Sequence, residues 1–239
     1  MKDIIISVII PTYNEEMAIR KVVADHVEVL NELTQIHDYE ILCLDDASTD
    51  HTLLILKQLE KLHPKVRVIL HPTNGGIYES FSDLAREAKG THIYQTGGDG
   101  QWPASNLSRL LEASTASSFQ LVIGVRENRK EIYSMWRQIL SFGFNLIPQL
   151  FFGVETKDAN SIKFGIREIF NFNLISHSFF GEIERIIEAK RLGYQIGFAP
   201  TEFLPRGGGK ASGAKIKNIA ATMRDFLKYL FLPKPSPEK

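Results

Sequence analysis

Short apolar runs and amphipathic segments alternate through the first half of the chain. Continuous runs of β-branched and aliphatic residues are typical of strands buried on both faces. Such runs occur at residues 4–10, 39–44, 66–70, 92–96 and 121–125. The segments that follow the first three runs have helical spacing or helix-start signals, at residues 14–36, 48–62 and 75–90. This order predicts an α/β fold with a mainly parallel sheet, flanking helices and right-handed crossovers.

The second half is richer in helix-like segments. Residues 132–152 carry many large apolar side chains and are expected to form a helix with a break near Pro148, because proline removes a backbone donor. Further expected elements are a helix at 180–192, a strand at 195–199, a loop at 206–213 and an amphipathic C-terminal helix at 214–232. We expect a single domain over residues 1–232 and a disordered tail at 233–239, because no repeat or linker divides the chain.

Composition removes several classes of protein. The chain has 239 residues, and its 28 basic and 28 acidic residues give zero net charge, so nucleic acid is not an expected partner. Cys43 is the only cysteine, which excludes a disulfide framework and a zinc site built from several thiolates. No apolar stretch reaches the roughly 20 residues that span a bilayer, and the first apolar run is too short for a signal peptide. We therefore expect a cytoplasmic protein that can still contact a membrane peripherally.

Polar side chains follow the predicted strands at the points where the strands end. Pro11-Thr-Tyr-Asn-Glu-Glu follows the first strand and Asp45-Asp-Ala-Ser-Thr-Asp the second. Gly97-Gly-Asp-Gly-Gln-Trp-Pro follows the fourth strand, and Arg126 follows the fifth. Ligands of open α/β sheets bind beyond the carboxyl ends of the strands, so these loops predict one shared site.

The residue types at this edge suggest two tasks. Carboxylates can accept hydrogen bonds from ribose hydroxyls and base N–H groups, which suits Glu15, Asp45 and Asp46. They can also hold a hard cation that bridges to phosphate, which suits Asp99 together with the amide oxygen of Gln101. The chain contains no G-x-S-x-G elbow, no G-x-x-x-x-G-K-[ST] loop and no metalloprotease His/Glu pair, so hydrolase and P-loop functions lack support.

These motifs resemble those of a known family. Val8-Ile-Ile-Pro-Thr-Tyr-Asn-Glu followed by Leu44-Asp-Asp-Ala-Ser-Thr-Asp-His-Thr is similar to the opening of family-2 glycosyltransferases with the GT-A, Rossmann-like fold. Gly98-Asp-Gly-Gln-Trp-Pro stands where that family has its D-x-D metal motif. Later segments, including Lys157-Asp-Ala-Asn, follow the order of the polyprenyl- and dolichyl-phosphate sugar synthase branch. The resemblance extends to about residue 230.

The resemblance implies an inverting transfer from a nucleotide-diphosphate sugar, of the GDP-mannose or UDP-glucose/GlcNAc type, to a polyprenyl-phosphate acceptor. It also implies a divalent cation, Mg²⁺ or Mn²⁺. For the nucleotide, it implies contacts from Pro11, Tyr13 and Glu15 to the base and ribose, with Asp45 and Asp46 completing the pocket.

For the cation, the resemblance implies that Asp99 and Gln101 are the ligands. The chain departs from the family here, because Gly97 occupies the position of the first Asp of D-x-D. One expected carboxylate is missing, which predicts weaker cation binding.

For the phosphates, the resemblance implies a set of basic residues. Arg126 is expected to approach a donor or acceptor phosphate, and Arg137 with Ser141 matches an R-x-x-x-S element associated with the acceptor phosphate. Arg206 matches a late arginine that closes over phosphates, with Lys210 assisting. Asp99 and these three arginines are the expected catalytic residues.

Two alternatives to a phosphate acceptor stay open. A hydroxyl acceptor of a saccharide or small molecule needs a carboxylate base, for which Glu182 and Asp158 are the candidates. A catalytically silent nucleotide-sugar-binding protein is the other alternative, motivated by Gly97.

Two apolar segments are candidates for membrane contact. Residues 139–152, with Phe142, Phe144, Phe151 and Phe152, form an interfacial surface, a subunit interface or part of the core. Residues 214–232 carry interleaved basic residues and form a second candidate surface.

Overall fold

The computed structural model describes residues 4–127, 135–206 and 216–231. Its strands are β1 Ile5–Thr12, β2 Asp38–Asp45, β3 Val66–Leu70, β4 His92–Gln95, β5 Leu121–Arg126, β6 Lys163–Ile166 and β7 Ile196–Thr201. Its helices are α1 Ile19–Glu32, α2 Thr52–Leu62, α3 Ile77–Glu87, α4 Asn106–Ser117, α5 Met135–Phe152, α6 Arg167–Phe170, α7 Phe180–Arg191 and α8 Ile216–Phe231.

The strands form one mixed sheet. Its order is β3-β2-β1-β4-β6-β5-β7. The strands β1, β2, β3 and β4 pair in parallel, as do β5 and β7, whereas β6 is antiparallel to both of its neighbours. The predicted α/β fold with a mainly parallel sheet is confirmed. The elements β6 and α4 were not predicted from the sequence. The strand β6 is short and contains a lysine in an otherwise apolar run.

The sheet is covered on both faces, as the continuous apolar strands require. Val8 and Ile10 of β1 face one core cluster with α1, α2 and α4, while Ile9 faces the other cluster with α3, α7 and α8. Cys43 is fully buried in the first cluster. The amphipathic C-terminal helix is confirmed, since Phe226 and Tyr229 of α8 pack into the second cluster.

The expected break near Pro148 is wrong. The helix α5 continues through Pro148 to Phe152. Side chains on both sides of the proline, Phe144, Ile147 and Phe152, pack against the second core cluster, and this packing offsets the lost backbone hydrogen bond. The helix ends at Gly153, whose φ of 64° is the left-handed conformation that commonly follows a helix. Among the described helices, none combines the length and apolar character needed to cross a bilayer.

Candidate functional site at the carboxyl edge of the sheet

The loops after β1 and β2 are joined by reciprocal hydrogen bonds. Asn14 adopts a left-handed conformation with φ of 57°, and its N–H donates to Ser48 Oγ at 3.0 Å. Thr49 N–H donates to Asn14 Oδ1 at 2.8 Å, and Glu15 N–H donates to Thr52 Oγ1 at 2.8 Å. These contacts fix the backbone from which Glu15 projects.

The two adjacent aspartates after β2 have different surroundings. Asp45 is only 3% exposed, and its Oδ2 accepts from Ser48 N–H at 3.2 Å while its Oδ1 has no protein partner. The Asp46 carboxylate accepts from the N–H groups of Gly75 and Gly76, each at 2.8 Å. Asp46 therefore holds the loop that leads into α3. The nucleotide roles of both aspartates stay predictions.

His71 completes this arrangement and was missed by the sequence analysis. Its Nδ1 lies 2.8 Å from Asp46 Oδ1, and its Nε2 lies 2.8 Å from Asp83 Oδ2 on α3. The histidine thus connects the end of β3 to the loop after β2 and to a flanking helix. Its position directly after a predicted strand was the available signal.

Arg206 reaches the site because its segment pairs with the loop after β4. Leu204 N–H donates to the Gln101 carbonyl at 2.8 Å, and Gln101 Nε2 donates to the Leu204 carbonyl at 3.1 Å. Arg206 Nη2 contacts Glu15 Oε1, and its Nη1 lies 3.6 Å from Asp99 Oδ2. Glu15, Asp99 and Arg206 thus come from three separate loops and lie in direct contact.

Burial changes the electrostatics of this trio. Burial raises the pKa of Glu15 to about 7, an effect that Arg206 opposes and that the charges of Asp99 and Asp50 reinforce. Burial also raises the pKa of Asp99, against the opposing effects of the Gln101 N–H and Arg206. The single charge of Arg206 does not outweigh burial of the two carboxylates, and a bound cation would favour their ionised forms.

The oxygen ligands at this point fit a cation that is shared with a substrate. Asp99 Oδ1 accepts from Gln101 N–H at 3.1 Å, and the Gln101 amide donates through Nε2, which leaves its Oε1 as an acceptor. Within the described ranges, no three His, Cys, Asp or Glu side chains group closely enough to hold a metal ion. A Mg²⁺ or Mn²⁺ ion held by Asp99 and Gln101 would thus take most of its ligands from substrate phosphates and water.

Arg126 lies in a buried ion pair. Its Nε donates to Asp158 Oδ2 at 2.7 Å and its Nη2 contacts Asp158 Oδ1. The two side chains are 8% and 1% exposed, and the guanidinium lies 5.5 Å from the centre of the Trp102 ring and 5.1 Å from that of Phe203. The expected phosphate role of Arg126 stays a prediction. The Asp158 carboxylate is paired with the Arg126 guanidinium.

Glu182 lies in a second buried ion pair, with a lysine that the sequence analysis missed. Lys163 Nζ is 2.8 Å from Glu182 Oε2 and donates to the Ser161 carbonyl at 3.0 Å. Burial acts to raise the pKa of Glu182, but the charges of Lys163 and Arg185 outweigh burial and hold this pKa below its ordinary value. The single lysine in the apolar run Ser161-Ile-Lys-Phe-Gly-Ile was the available signal.

Other expected site residues are placed less completely. Pro11 is buried in β1, and Tyr13 is 47% exposed at the start of the loop. Arg137 and Ser141 belong to α5, but their side chains lie outside the described part of the structure, as does Lys210 altogether.

The C-terminal end of α5 packs on α8, and the exposed apolar side chains of these two segments are here called the α5/α8 surface. Phe151 contacts Phe226 of α8 with ring centres 5.1 Å apart. The exposed apolar residues of this surface are Leu150, Phe151, Ile219, Met223, Leu227 and Phe231. Phe144 and Phe152 pack against the core instead, and the side chain of Phe142 is outside the described residues.

Comparison with known sequences identifies relatives that are named as glycosyltransferases or sugar transferases. The sequence profile described as Glycosyl transferase family 2 matches residues 7–177. A poly(ribitol-phosphate) beta-glucosyltransferase of Bacillus spizizenii is 33% identical over 120 residues, which are 50% of this chain and 18% of the relative. An undecaprenyl-phosphate 4-deoxy-4-formamido-L-arabinose transferase of Pseudomonas fluorescens is 31% identical over 155 residues, 64% of this chain and 44% of the relative. The chain thus spans less than half the length of these two relatives.

Solved structures share the fold at low sequence identity. The glucosyl-3-phosphoglycerate synthase of Mycobacterium tuberculosis, in complex with Mn²⁺, UDP-glucose and phosphoglyceric acid, superimposes with a TM-score of 0.71 at 17% identity. The superposition covers 97% of this chain and 81% of that protein. The expected GT-A fold is confirmed, and the match over residues 7–177 shows that the chain belongs to glycosyl transferase family 2.

Proposed function

We propose that this protein transfers a sugar, with inversion, from a nucleoside-diphosphate sugar to a polyprenyl phosphate. In this reaction a phosphate oxygen of the acceptor attacks the anomeric carbon. The bond between that carbon and the β-phosphate oxygen breaks, and the nucleoside diphosphate leaves with the electron pair. No proton has to be moved, because the acceptor phosphate is already ionised at neutral pH.

The choice of acceptor rests on the two buried ion pairs. Asp158 and Glu182 are the carboxylates that could serve a hydroxyl acceptor as general base, and each is held by a buried cation, Arg126 or Lys163. The charges of Lys163 and Arg185 hold the pKa of Glu182 below its ordinary value, and both oxygens of Asp158 are engaged by Arg126. An acceptor that arrives as an anion does not need either carboxylate as a base. The name of the Pseudomonas fluorescens relative, an undecaprenyl-phosphate transferase, supports the same class of acceptor.

The donor is assigned to the contact region of Glu15, Asp99 and Arg206. The Asp45 Oδ1 atom, buried and without a protein partner, offers an acceptor to base or ribose groups nearby on the same edge. The guanidinium of Arg206 lies 3.6 Å from Asp99, one of the proposed metal ligands, and it would neutralise negative charge on the leaving diphosphate. A Mg²⁺ or Mn²⁺ ion, when bound, would supply Lewis-acid stabilisation of the same leaving group.

The acceptor's lipid chain requires a route from a membrane. The α5/α8 surface is apolar and carries the exposed cations Arg224 and Lys228, a combination that suits an anionic bilayer surface. This surface would place the protein peripherally on the cytoplasmic face of a membrane.

The acceptor assignment is tested by nucleoside diphosphate release. Purified protein with Mn²⁺ receives UDP-glucose or GDP-mannose, together with undecaprenyl phosphate or with undecaprenol, which lacks the phosphate. We expect release only with the phosphate acceptor, and a loss of at least about 100-fold in Asp99→Asn. Asp25→Asn, which removes the same charge from the exposed side of α1, is the matched control. Equal release with undecaprenol would overturn the anionic acceptor, and nucleotide binding without any transfer would favour the catalytically silent alternative.

The membrane assignment is tested by co-sedimentation with phosphatidylglycerol vesicles at low salt. Leu227→Glu should reduce the bound fraction severalfold, because a charge replaces an exposed apolar group on the α5/α8 surface. Leu54→Glu makes the same change on α2, on the opposite face of the sheet, and should have no effect. Equal loss of binding in both variants would show that the α5/α8 surface is not the one in contact.

A further inference from the structure

A small cavity lies beside the candidate donor site, between the sheet and α3. It measures about 70 Å³, and its polar floor is formed by Gln95 of β4, Lys163 of β6 and Glu182 of α7. Tyr78 and Phe179 supply aromatic walls, with their ring centres 5.2 Å apart. The cavity therefore combines apolar walls with hydrogen-bonding groups at its floor.

The floor carries an unsatisfied acceptor. Gln95 is only 4% exposed, and its Oε1 has no partner in the protein, while its side chain shares a hydrogen bond with Glu182. Lys163 is fully buried, and its ammonium has three N–H groups, of which the contacts with Glu182 and Ser161 use two. Buried polar groups in folded proteins usually have partners, so this floor is incomplete without a ligand or water.

The lining of the cavity adjoins the loops of the candidate site along the chain. Gln95 ends β4 four residues before Asp99, so the backbones of the two residues are at most about 14 Å apart. Exposed Ile77 and Asn160 also line the cavity. Ile77 follows Gly76, whose N–H donates to Asp46, and Asn160 follows the segment of Asp158. The cavity is therefore within reach of a sugar attached to a nucleotide near Asp99.

Size and charge limit what the cavity can hold. Water occupies about 30 Å³ per molecule in the liquid, so a cavity of about 70 Å³ takes a substituent and not a whole sugar ring. Glu182 is paired with Lys163 at 2.8 Å and lies 3.9 Å from Arg185, and the unpartnered Gln95 Oε1 requires a donor, so the floor favours a neutral group that can donate a hydrogen bond. A hydroxyl-bearing substituent meets these conditions, whereas a carboxylate would add a second negative charge beside Glu182.

We propose that this cavity is a specificity subsite, in which the Gln95 amide oxygen accepts a hydrogen bond from one hydroxyl-bearing substituent of the transferred sugar. The proposal rests on the proposed function, because it requires a donor sugar at the carboxyl edge of the sheet. Gln95 acts here as a substrate-contacting residue, and the Lys163–Glu182 pair fixes the floor around it.

The test measures kcat/KM for a parent donor and its deoxy analogues in the wild type and in Gln95→Leu. The parent is whichever of UDP-glucose and GDP-mannose releases nucleoside diphosphate with undecaprenyl phosphate. In the wild type, removal of one particular hydroxyl should lower kcat/KM by about 10–100-fold, because it leaves the buried acceptor unpaired. In Gln95→Leu the same removal should change kcat/KM less than about 3-fold. Gln58→Leu, on the exposed side of α2, is the matched control and should keep the wild-type pattern.

Two outcomes separate the subsite from the wider function. If Gln95→Leu lowers kcat/KM for the parent and all deoxy donors by one common factor, the residue has only a structural role and the subsite is refuted. If neither parent donor supports transfer, the proposed function fails and the subsite fails with it. Nucleoside diphosphate affinity, measured by calorimetry, should be the same in the wild type and Gln95→Leu, because the nucleotide lies outside the cavity.

Discussion

Arg206 is expected to affect two ligands in opposite directions. In the described structure its guanidinium contacts Glu15 and lies 3.6 Å from Asp99 Oδ2. A Mg²⁺ or Mn²⁺ ion held by Asp99 would share this carboxylate with the guanidinium, and the two positive charges would repel each other. We therefore expect binding of the free cation to displace Arg206 from Glu15 and Asp99.

The size of the effect on Mn²⁺ affinity follows from the contact between Arg206 and Glu15 that has to be broken. Arg206 and Glu15 are partly buried, with side chains 24% and 14% exposed, so their ion pair is stronger than a surface pair and weaker than a fully buried one. Breaking it costs about 1–2 kcal/mol, which corresponds to about 5–30-fold in an equilibrium constant. We expect Arg206→Gln to bind Mn²⁺ tighter by that factor when no nucleotide is present.

The expected effect of Arg206→Gln on binding has the opposite sign for a nucleoside diphosphate. The guanidinium then has a diphosphate to neutralise, and a charge-assisted hydrogen bond of this kind contributes about 1.5–3 kcal/mol. Arg206→Gln should accordingly bind UDP or GDP more weakly by about 10–100-fold in the presence of saturating Mn²⁺. The same variant should lose transfer activity.

Calorimetric titrations measure both quantities on the same protein. Arg20→Gln removes the same charge from the exposed side of α1, where Arg20 donates to Gln58 at 2.6 Å, and controls for the change in net charge. Tighter Mn²⁺ binding in both variants would indicate a general electrostatic effect. Mn²⁺ affinity that is unchanged in Arg206→Gln would refute the reasoning and place the cation away from Asp99.

Three further predictions test other parts of the site. Gly97→Asp should tighten Mn²⁺ binding about 10-fold or more in calorimetry, because a Cβ at this position would lie 3.4 Å from Asp99 Oδ1 and add a second carboxylate; unchanged affinity would place the cation elsewhere. The pKa of Glu15, raised by burial from 4.5 to about 7, gives a stabilising contribution that is complete below pH 4.5 and lost as the pH rises through 7. The upper bound of this contribution is about 3 kcal/mol, which residual solvent contact reduces to about half. In urea denaturation, the stability of Glu15→Gln relative to the wild type should therefore increase between pH 5 and 8. Parallel pH profiles of the two proteins would contradict the burial of this carboxylate. Lys163→Met should destabilise the fold by about 3–5 kcal/mol in urea, because it removes the nearer of the two cations beside buried Glu182 and leaves only Arg185, 3.9 Å away. The double variant Lys163→Met/Glu182→Gln should recover part of that loss; no recovery would refute the pairing.

The sequence predicted the sheet well because its strands are continuous apolar runs, and such runs have few alternatives to burial. The strands around Ile9 and Leu42 are buried on both faces as expected. The strand β6 escaped prediction because it is short and its buried Lys163 resembles a surface residue until Glu182 is placed opposite it. Contacts between residues so distant in sequence are decided by tertiary packing, which local patterns do not record.

The candidate site, like the fold, was only partly predictable from the sequence. The convergence of Glu15 and Asp99 followed from the rule that parallel strands end at one edge, and the approach of Arg206 followed from the resemblance to the family. Their ion pairs did not follow from it, and neither did the pairing of Arg126 with Asp158, which gives an expected phosphate ligand a buried protein partner. The position of a residue in a motif predicts the loop on which it lies. The groups that its side chain contacts depend on how the neighbouring loops pack.

These ion pairs and Gly97 point to the same kind of chemistry. A transferase for a hydroxyl acceptor needs a free base, and a tightly held metal ion needs several protein carboxylates. This site keeps Asp158 and Glu182 paired and offers Asp99 as the carboxylate of the metal motif. It would therefore take the missing charges from its substrates: the donor diphosphate completes the cation's ligands, and the acceptor phosphate supplies an anionic nucleophile. A weakened metal motif and the pairing of both candidate bases with buried cations are then both consistent with the proposed transfer between two phosphorylated substrates.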